Sequence, residues 1–155
     1  MNLPLLKNKI PYKWRVQSFS KHKSKCQCVA YIDARDVMDV LDSVCGADNW
    51  QDKYEFVGDK LIAGIGIRTE NGWVWKYDTG TESNMDAEKG QFSDAFKRAA
   101  VKWGVGRFLY DLEIVYLDSN EPKTDKNYPY PIDANKKRIW DITKHINDLK
   151  ARNAN

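Results

Sequence analysis

Four cations crowd the segment SDAFKRAAVKWGVGRFLYDL, residues 93–112: Lys97, Arg98, Lys102 and Arg107, with Asp94 the only acid before Asp111. A solvated helix usually mixes both signs, so this excess is aimed at something negative. Lys and Arg neutralise phosphates and release condensed counterions, which gives affinity without sequence choice. Aromatic faces can add base stacking at roughly 1–3 kcal/mol per base. A plainer reading uses the same residues. Asp94 and Arg98 stand four apart, a pair that supports a helix by a few tenths of a kcal/mol and needs no ligand. By themselves, the four cations leave phosphate contact and helix support level.

Other chemistry is sparse. No GxxxxGK[ST] phosphate loop occurs, which argues against a nucleotide-driven motor. The string GIGIR lies inside a strand pattern and lacks the third glycine of a dinucleotide fingerprint, so it reads as a close backbone approach or a bend. His22, Cys26 and Cys28 fall short of the four ligands of a structural zinc site. Asp36 and Asp39 sit at helical spacing, where carboxylates more often solvate a face than hold a metal. His145 has no evident nucleophile or carboxylate partner. The expectation is a binding protein, not an enzyme, with no metal or cofactor.

The elements that must carry the cations follow from periodicity. Residues 1–25, broken by Pro4 and Pro11, read as an arm, and KCQCVAYI as a short strand. Val37, Met38, Val40, Leu41 and Val44 recur at helical spacing, with Gly46 placed as a C-cap. WQDKYEFV, KLIAGIGIRT and WVWKYDTG form three strands joined at Gly58-Asp59 and at Glu70-Asn71-Gly72, an antiparallel meander. Trp73 and Trp75 alternate with Val74 and are read as sheet core. Ser83 with Asp86 resembles a capping box opening the next helix. There Phe92, Phe96, Ala99 and Trp103 form the stripe that packs on a sheet. Lys97 and Arg98 flank its polar side, and Arg98 and Lys102 stack one turn apart. Gly104 and Gly106 end that helix, so GRFLYDL is a separate turn that aims Arg107 on its own. NEPKTDKNYPYPID is a Pro-rich connector. A terminal helix with Ile139, Ile142, Ile146 and Leu149 on one face then needs a docking surface.

Charge is unevenly placed. Residues 1–32 hold seven Lys or Arg and no acid, residues 33–90 hold 13 acids against six bases, and residues 91–110 return to +3. Two basic segments flanking an acidic one could line a groove, or the basic arm could dock on a neighbouring subunit. Charge does not choose between them. No apolar run spans a bilayer, and the N-terminus lacks a secretory signal's apolar block. Three cysteines without a paired framework read as reduced thiols, which places the protein in the cytoplasm.

The order strand, helix, meander, then DAFKRAAVKWGVGRFLYDL resembles the Rad-fifty-two family of single-strand annealing proteins, especially its bacteriophage members. YIDARDVMDVLDSVCGADNW, ENGWVWKYDTGTES and SDAFKRAAVKWGVGRFLYDL carry the resemblance, over about residues 29–112. The last is the most specific, because its Asp, Lys-Arg-Ala core and following glycines recur together.

The resemblance implies an α+β protein with a β-β-β-α core, a preceding strand–helix unit and a C-terminal helix. It implies subunits that associate into rings or helical arcs and hold single-stranded DNA in a basic groove. Complementary strands then anneal without ATP, in homologous recombination and repair in a bacterial host. On this reading residues 1–25 are a basic arm, 26–118 the annealing core, 119–133 a connector and 134–155 a C-terminal helix and tail. Lys97 and Arg98 match the family's groove-lining pair. Arg35 lies beside the position of a family Arg, displaced by one in Ala34-Arg35-Asp36. Lys102 and Arg107 are added from charge and geometry. Where some relatives place a Lys for an outer duplex site, this chain has Glu70, which leaves double-stranded DNA an open partner. The C-terminal helix around Trp140 is the candidate contact for a host or phage single-strand-binding protein. Two alternatives stand beside annealing: a passive single-strand binder that protects ends, and a structural ring-forming module.

Overall fold

The computed structural model describes residues 1–80 and 87–154, with no side-chain description for residues 87–89. The chain divides into two compact units: Met1–Pro11 with Ile32–Asp111, and Tyr12–Tyr31 with Leu112–Asn155.

The first unit is built on the meander. Strands β3 (Trp50–Val57), β4 (Lys60–Thr69) and β5 (Gly72–Thr79) pair antiparallel in that order. The turns fall at Gly58 and Gly72, both at positive φ, which a side chain resists. Alternation along β4 then divides the sheet into two unlike faces. Leu61, Ala63, Ile65 and Ile67 are fully buried on one of them, and helix α2 (Ala87–Trp103) covers that face. Phe96, Ala99, Ala100 and Trp103 are the buried stripe, and the Trp103 indole N–H donates to the Ile65 carbonyl at 2.9 Å. On the same face Tyr54 and Phe56 meet Phe92, at 5.2 and 6.3 Å between ring centroids. Gly104 and Gly106, at φ 110 and 77, end the helix where the sequence places its end. A 3-10 turn, Arg107–Asp111, follows. The capping box read at Ser83 and Asp86 lies outside the described residues.

Helix α1 (Ala34–Cys45) buries Val37, Leu41 and Cys45, and Gly46 caps it at φ 91. The Asp33 backbone N–H donates to Asp36 Oδ2 at 2.8 Å, so this carboxylate closes the start of the helix rather than a metal site.

The reading of Trp73 and Trp75 as core is corrected. The register sets Trp73 opposite Arg68 and Trp75 opposite Gly66, on the face that α2 does not cover. Trp73 is 41% exposed and Trp75 half-buried. Alternation along β5 was read rightly, but which face the helix takes is fixed by β4, whose fully apolar side wins. GIGIR is the close approach expected. A Cβ at Gly66 would stand 2.6 Å from the Trp75 ring and one at Gly64 2.5 Å from the Tyr77 ring.

The second unit is a four-stranded antiparallel sheet, β1 (Lys13–Phe19), β2 (Lys25–Tyr31), β6 (Val115–Ser119) and β7 (Pro131–Ile132), in that order. Strand β1 lies inside the stretch read as an irregular arm. Its buried Trp14 takes part in the unit's core, which outweighs the flanking Lys13 and Arg15. Helix α3 (Ile142–Asn153) begins later than the apolar pattern suggests, with Asp141 accepting from the Lys144 backbone N–H at 3.0 Å. Ile139 precedes it. Ile139 and Ile146 nonetheless meet Trp14, Cys26, Cys28 and Leu117, the docking surface the helix needed.

All three cysteines are free and buried. A hydrogen bond to Cys26, reinforced by burial, pushes the Cys28 thiol far up, and the same bond draws Cys26 down. Burial raises Cys45. Since attack requires an accessible thiolate, we expect all three to react slowly with Ellman's reagent at neutral pH and rapidly in denaturant. A fast native phase would show that one of these cores opens readily.

Candidate nucleic-acid interface

Burial of the Phe96–Trp103 stripe fixes the rotation of α2, so its other flanks carry Lys97, Arg98 and Lys102. Lys97 is half-buried on the α1 side, and its Nζ donates to the Ile32 carbonyl at 3.3 Å. That carbonyl lies just ahead of α1, whose first turn bears the exposed Arg35. The structure therefore brings Lys97 to the end of α1 where Arg35 stands.

Arg98 is exposed and faces the other flank. Its Nε donates to Asp94 Oδ2 at 2.9 Å, and the two side chains are 46% and 33% exposed. The bond to Asp94 raises the Arg98 pKa, with smaller contributions from Tyr110 and Asp78. Arg98 stays charged at any working pH. An exposed pair of this kind contributes little to stability and is screened by salt, so a phosphate can compete for the guanidinium. Any anion approaching Arg98 would have to compete with Asp94. Tyr110, 72% exposed in the turn that follows α2, is an aromatic that the sequence reading passed over. Its place at the end of the same motif was the available signal.

Lys102 is exposed one turn beyond Arg98. Arg107 is not aimed independently, and that expectation is corrected. Its guanidinium folds back to donate to the Val101 carbonyl at 3.1 and 2.9 Å and to the Lys102 carbonyl at 3.0 Å. The last carbonyls of a helix lack intrahelical donors and carry its negative dipole end, so the nearest fork-shaped cation closes on them. Lys76 Nζ joins from β5, donating to the Lys102 carbonyl at 3.3 Å and standing 4.5 Å from the Trp103 ring centroid. Lys76 was not singled out from sequence, because only the strand register brings it there. The cations thus fall into two sets: Lys97 with Arg35 on the α1 side, and Arg98, Lys102 and Arg107 along the opposite flank and end of α2. Among the described residues no three His, Cys, Asp or Glu side chains converge as metal ligands. No described helix is long and apolar enough to cross a membrane.

Comparison with known proteins covers this same region. The model of the Rad52/22 family double-strand break repair protein matches residues 4–64 and 60–128. The chain belongs to that family. The single-stranded DNA-binding protein DdrA of Deinococcus radiodurans is 35% identical over 112 residues, which are 71% of this chain and 53% of the relative. The protein of the same name from Deinococcus deserti is 38% identical over 119 residues, 75% of this chain and 58% of the relative. The chain thus spans between a half and three fifths of the length of these two relatives. The family match encloses α2 and all the cations described above.

Arg107 is accounted for without a ligand. We expect Arg107→Ala to cost about 1–2 kcal/mol, the worth of a charged group's hydrogen bonds discounted for exposure. Arg107→Lys should recover only part, since an ammonium cannot fork across two carbonyls. Lys102→Ala should leave thermal stability unchanged, and melting curves of the three variants check this.

Proposed function

We propose that this chain binds single-stranded DNA along its backbone and anneals complementary strands in recombination and repair, without ATP. One observation carries the reading. Helix α2, inside the family-matching region, is locked to the sheet by one side and presents Lys97, Arg98 and Lys102 on its others.

The mechanism follows from charge. Two strands repel through their phosphates, and flexible strands hide bases in transient hairpins. A row of cations screens the repulsion and holds one strand extended, so its bases can sample a complement. Backbone contacts position the strand and leave sequence choice to base pairing. Each subunit contributes modestly, and side-by-side copies in a ring or helical arc would raise the summed affinity. Arg35 would extend the Lys97 end of the track, and Lys102 the Arg98 end. Arg107, whose donors hold the helix end, would act on DNA only through its charge. The assembly, a single-strand-binding protein as partner, duplex DNA as a second ligand and a cytoplasmic place in a bacterial host belong to this proposal. So do an annealing core over 26–118 and the absence of a catalytic step. A passive binder is the second reading, because the relatives' names speak of binding alone.

We expect Lys97→Ala/Arg98→Ala to weaken oligonucleotide binding and to flatten the log–log salt dependence by about one to two units, with elution from a sizing column unchanged. Equal binding at matched salt would remove the pair from the site. With two complementary labelled oligonucleotides and neither nucleotide nor metal, the wild type should accelerate duplex formation. Binding without acceleration would favour the passive reading. Asp94→Asn frees Arg98 from its carboxylate and should tighten binding several-fold at low salt. No change would mean that Arg98 does not reach phosphate.

A further inference from the structure

Among the described residues no element of the first unit packs on the face of the meander turned away from α2, and its surface is unlike that of an ordinary solvated sheet. Trp75 and Tyr77 stack with ring centroids 6.2 Å apart and planes 19° from parallel. Their floor is glycine: a methyl group at Gly64 or Gly66 would overlap one ring or the other. Lys53, on β3 across the central strand, places Nζ 4.4 Å from the Trp75 centroid and 5.5 Å from that of Tyr77. Farther along β5, the exposed Trp73 has the Arg68 guanidinium 5.7 Å from its centroid, held there by Asn49 Oδ1, which accepts from Arg68 Nε at 2.9 Å. Glu55, Gln51, Ile62 and Thr79 share the face.

From this arrangement we infer that the outer sheet face is a second single-stranded DNA contact, one that takes unpaired bases on Trp75 and Tyr77 while Lys53 meets a flanking phosphate. This rests on the single-stranded DNA reading above and adds to it a preference for unpaired bases. Phosphate contacts along α2 cannot by themselves tell a single strand from a duplex, since both present phosphates. Exposed base faces are available only in a single strand. Aromatic residues on an antiparallel sheet are an established way of receiving them. Flat rings seated flush on glycine suit planar ligands. A contact with another copy of this chain would instead favour projecting side chains that interdigitate, as protein interiors do. The cations over the rings fit a polyanion and would have to be desolvated against a protein partner.

The test compares oligothymidine with an abasic oligonucleotide of equal length, which keeps the phosphates and lacks the bases. Wild type should prefer oligothymidine by tenfold or more, as an order of magnitude for base stacking. Trp75→Leu/Tyr77→Leu should abolish most of that preference. Trp75→Phe/Tyr77→Phe should keep it. Lys97→Ala/Arg98→Ala should weaken both ligands alike and leave the ratio intact. An unchanged ratio in the folded leucine variant overturns the inference, and so does an unchanged ratio with a shift to a smaller species on a sizing column, which would make the face a subunit contact. Should that variant not fold, photo-crosslinking of wild type to an iododeoxyuridine oligonucleotide decides the matter. Adducts within the tryptic peptides 69–76 or 77–89 support the inference, and adducts only elsewhere overturn it. Failure of wild type to bind either ligand would remove the proposed function as well.

Discussion

The packing of α2 on β4 is the constraint on which everything else in the first unit depends. Phe96, Ala99 and Trp103 are pressed against a strand whose Leu61, Ala63, Ile65 and Ile67 are fully buried. At ~25 cal/mol per Å² of apolar surface removed from water, such a stripe outweighs any surface ion pair on the helix. The bond from the Trp103 indole to the Ile65 carbonyl adds direction to what burial alone leaves loose. Once that side is fixed, helical geometry dictates where Lys97, Arg98 and Lys102 point. The cations need not stabilise the fold, and two of the three are exposed enough to meet a ligand.

The same packing gives the sheet its second character. With one face committed to the helix, the other keeps Trp73, Trp75 and Tyr77, and glycine beneath two of those rings lets them lie flat. A backbone-holding helix and a base-receiving sheet face would then stand on opposite sides of one small scaffold. Phosphate contacts give affinity that falls with salt, whereas stacking is far less sensitive to it. Binding to single strands would therefore persist at ionic strengths that release duplexes.

Much of the meander was legible in the sequence because its signals are local. Asn71-Gly72 and Gly58-Asp59 mark the turns, and the alternation of KLIAGIGIRT marks the central strand. The helix stripe and its glycine stop were equally plain. What escaped depends on residues distant in the chain. Strand β1 shows only Trp14, Val16 and Phe19 among polar residues, and it becomes a strand through β2 and a sheet extended by β6, roughly a hundred residues onward. Trp73 and Trp75 alternate as expected, yet their face is chosen by the neighbouring strand. Arg107 sits where charge pattern suggests a phosphate ligand, and only the atomic arrangement shows its guanidinium on the helix-end carbonyls. At the candidate site, sequence supplied the identities of the cations. The structure supplied their present partners: a carboxylate for Arg98, one backbone carbonyl for Lys97 and two for Arg107.

The most direct measurement is a structure of the protein bound to oligothymidine. The account requires backbone phosphates within hydrogen-bonding distance of Lys97 Nζ and the Arg98 guanidinium. DNA lying elsewhere, with Arg98 still closed on Asp94 and α2 turned to empty solvent, would contradict it.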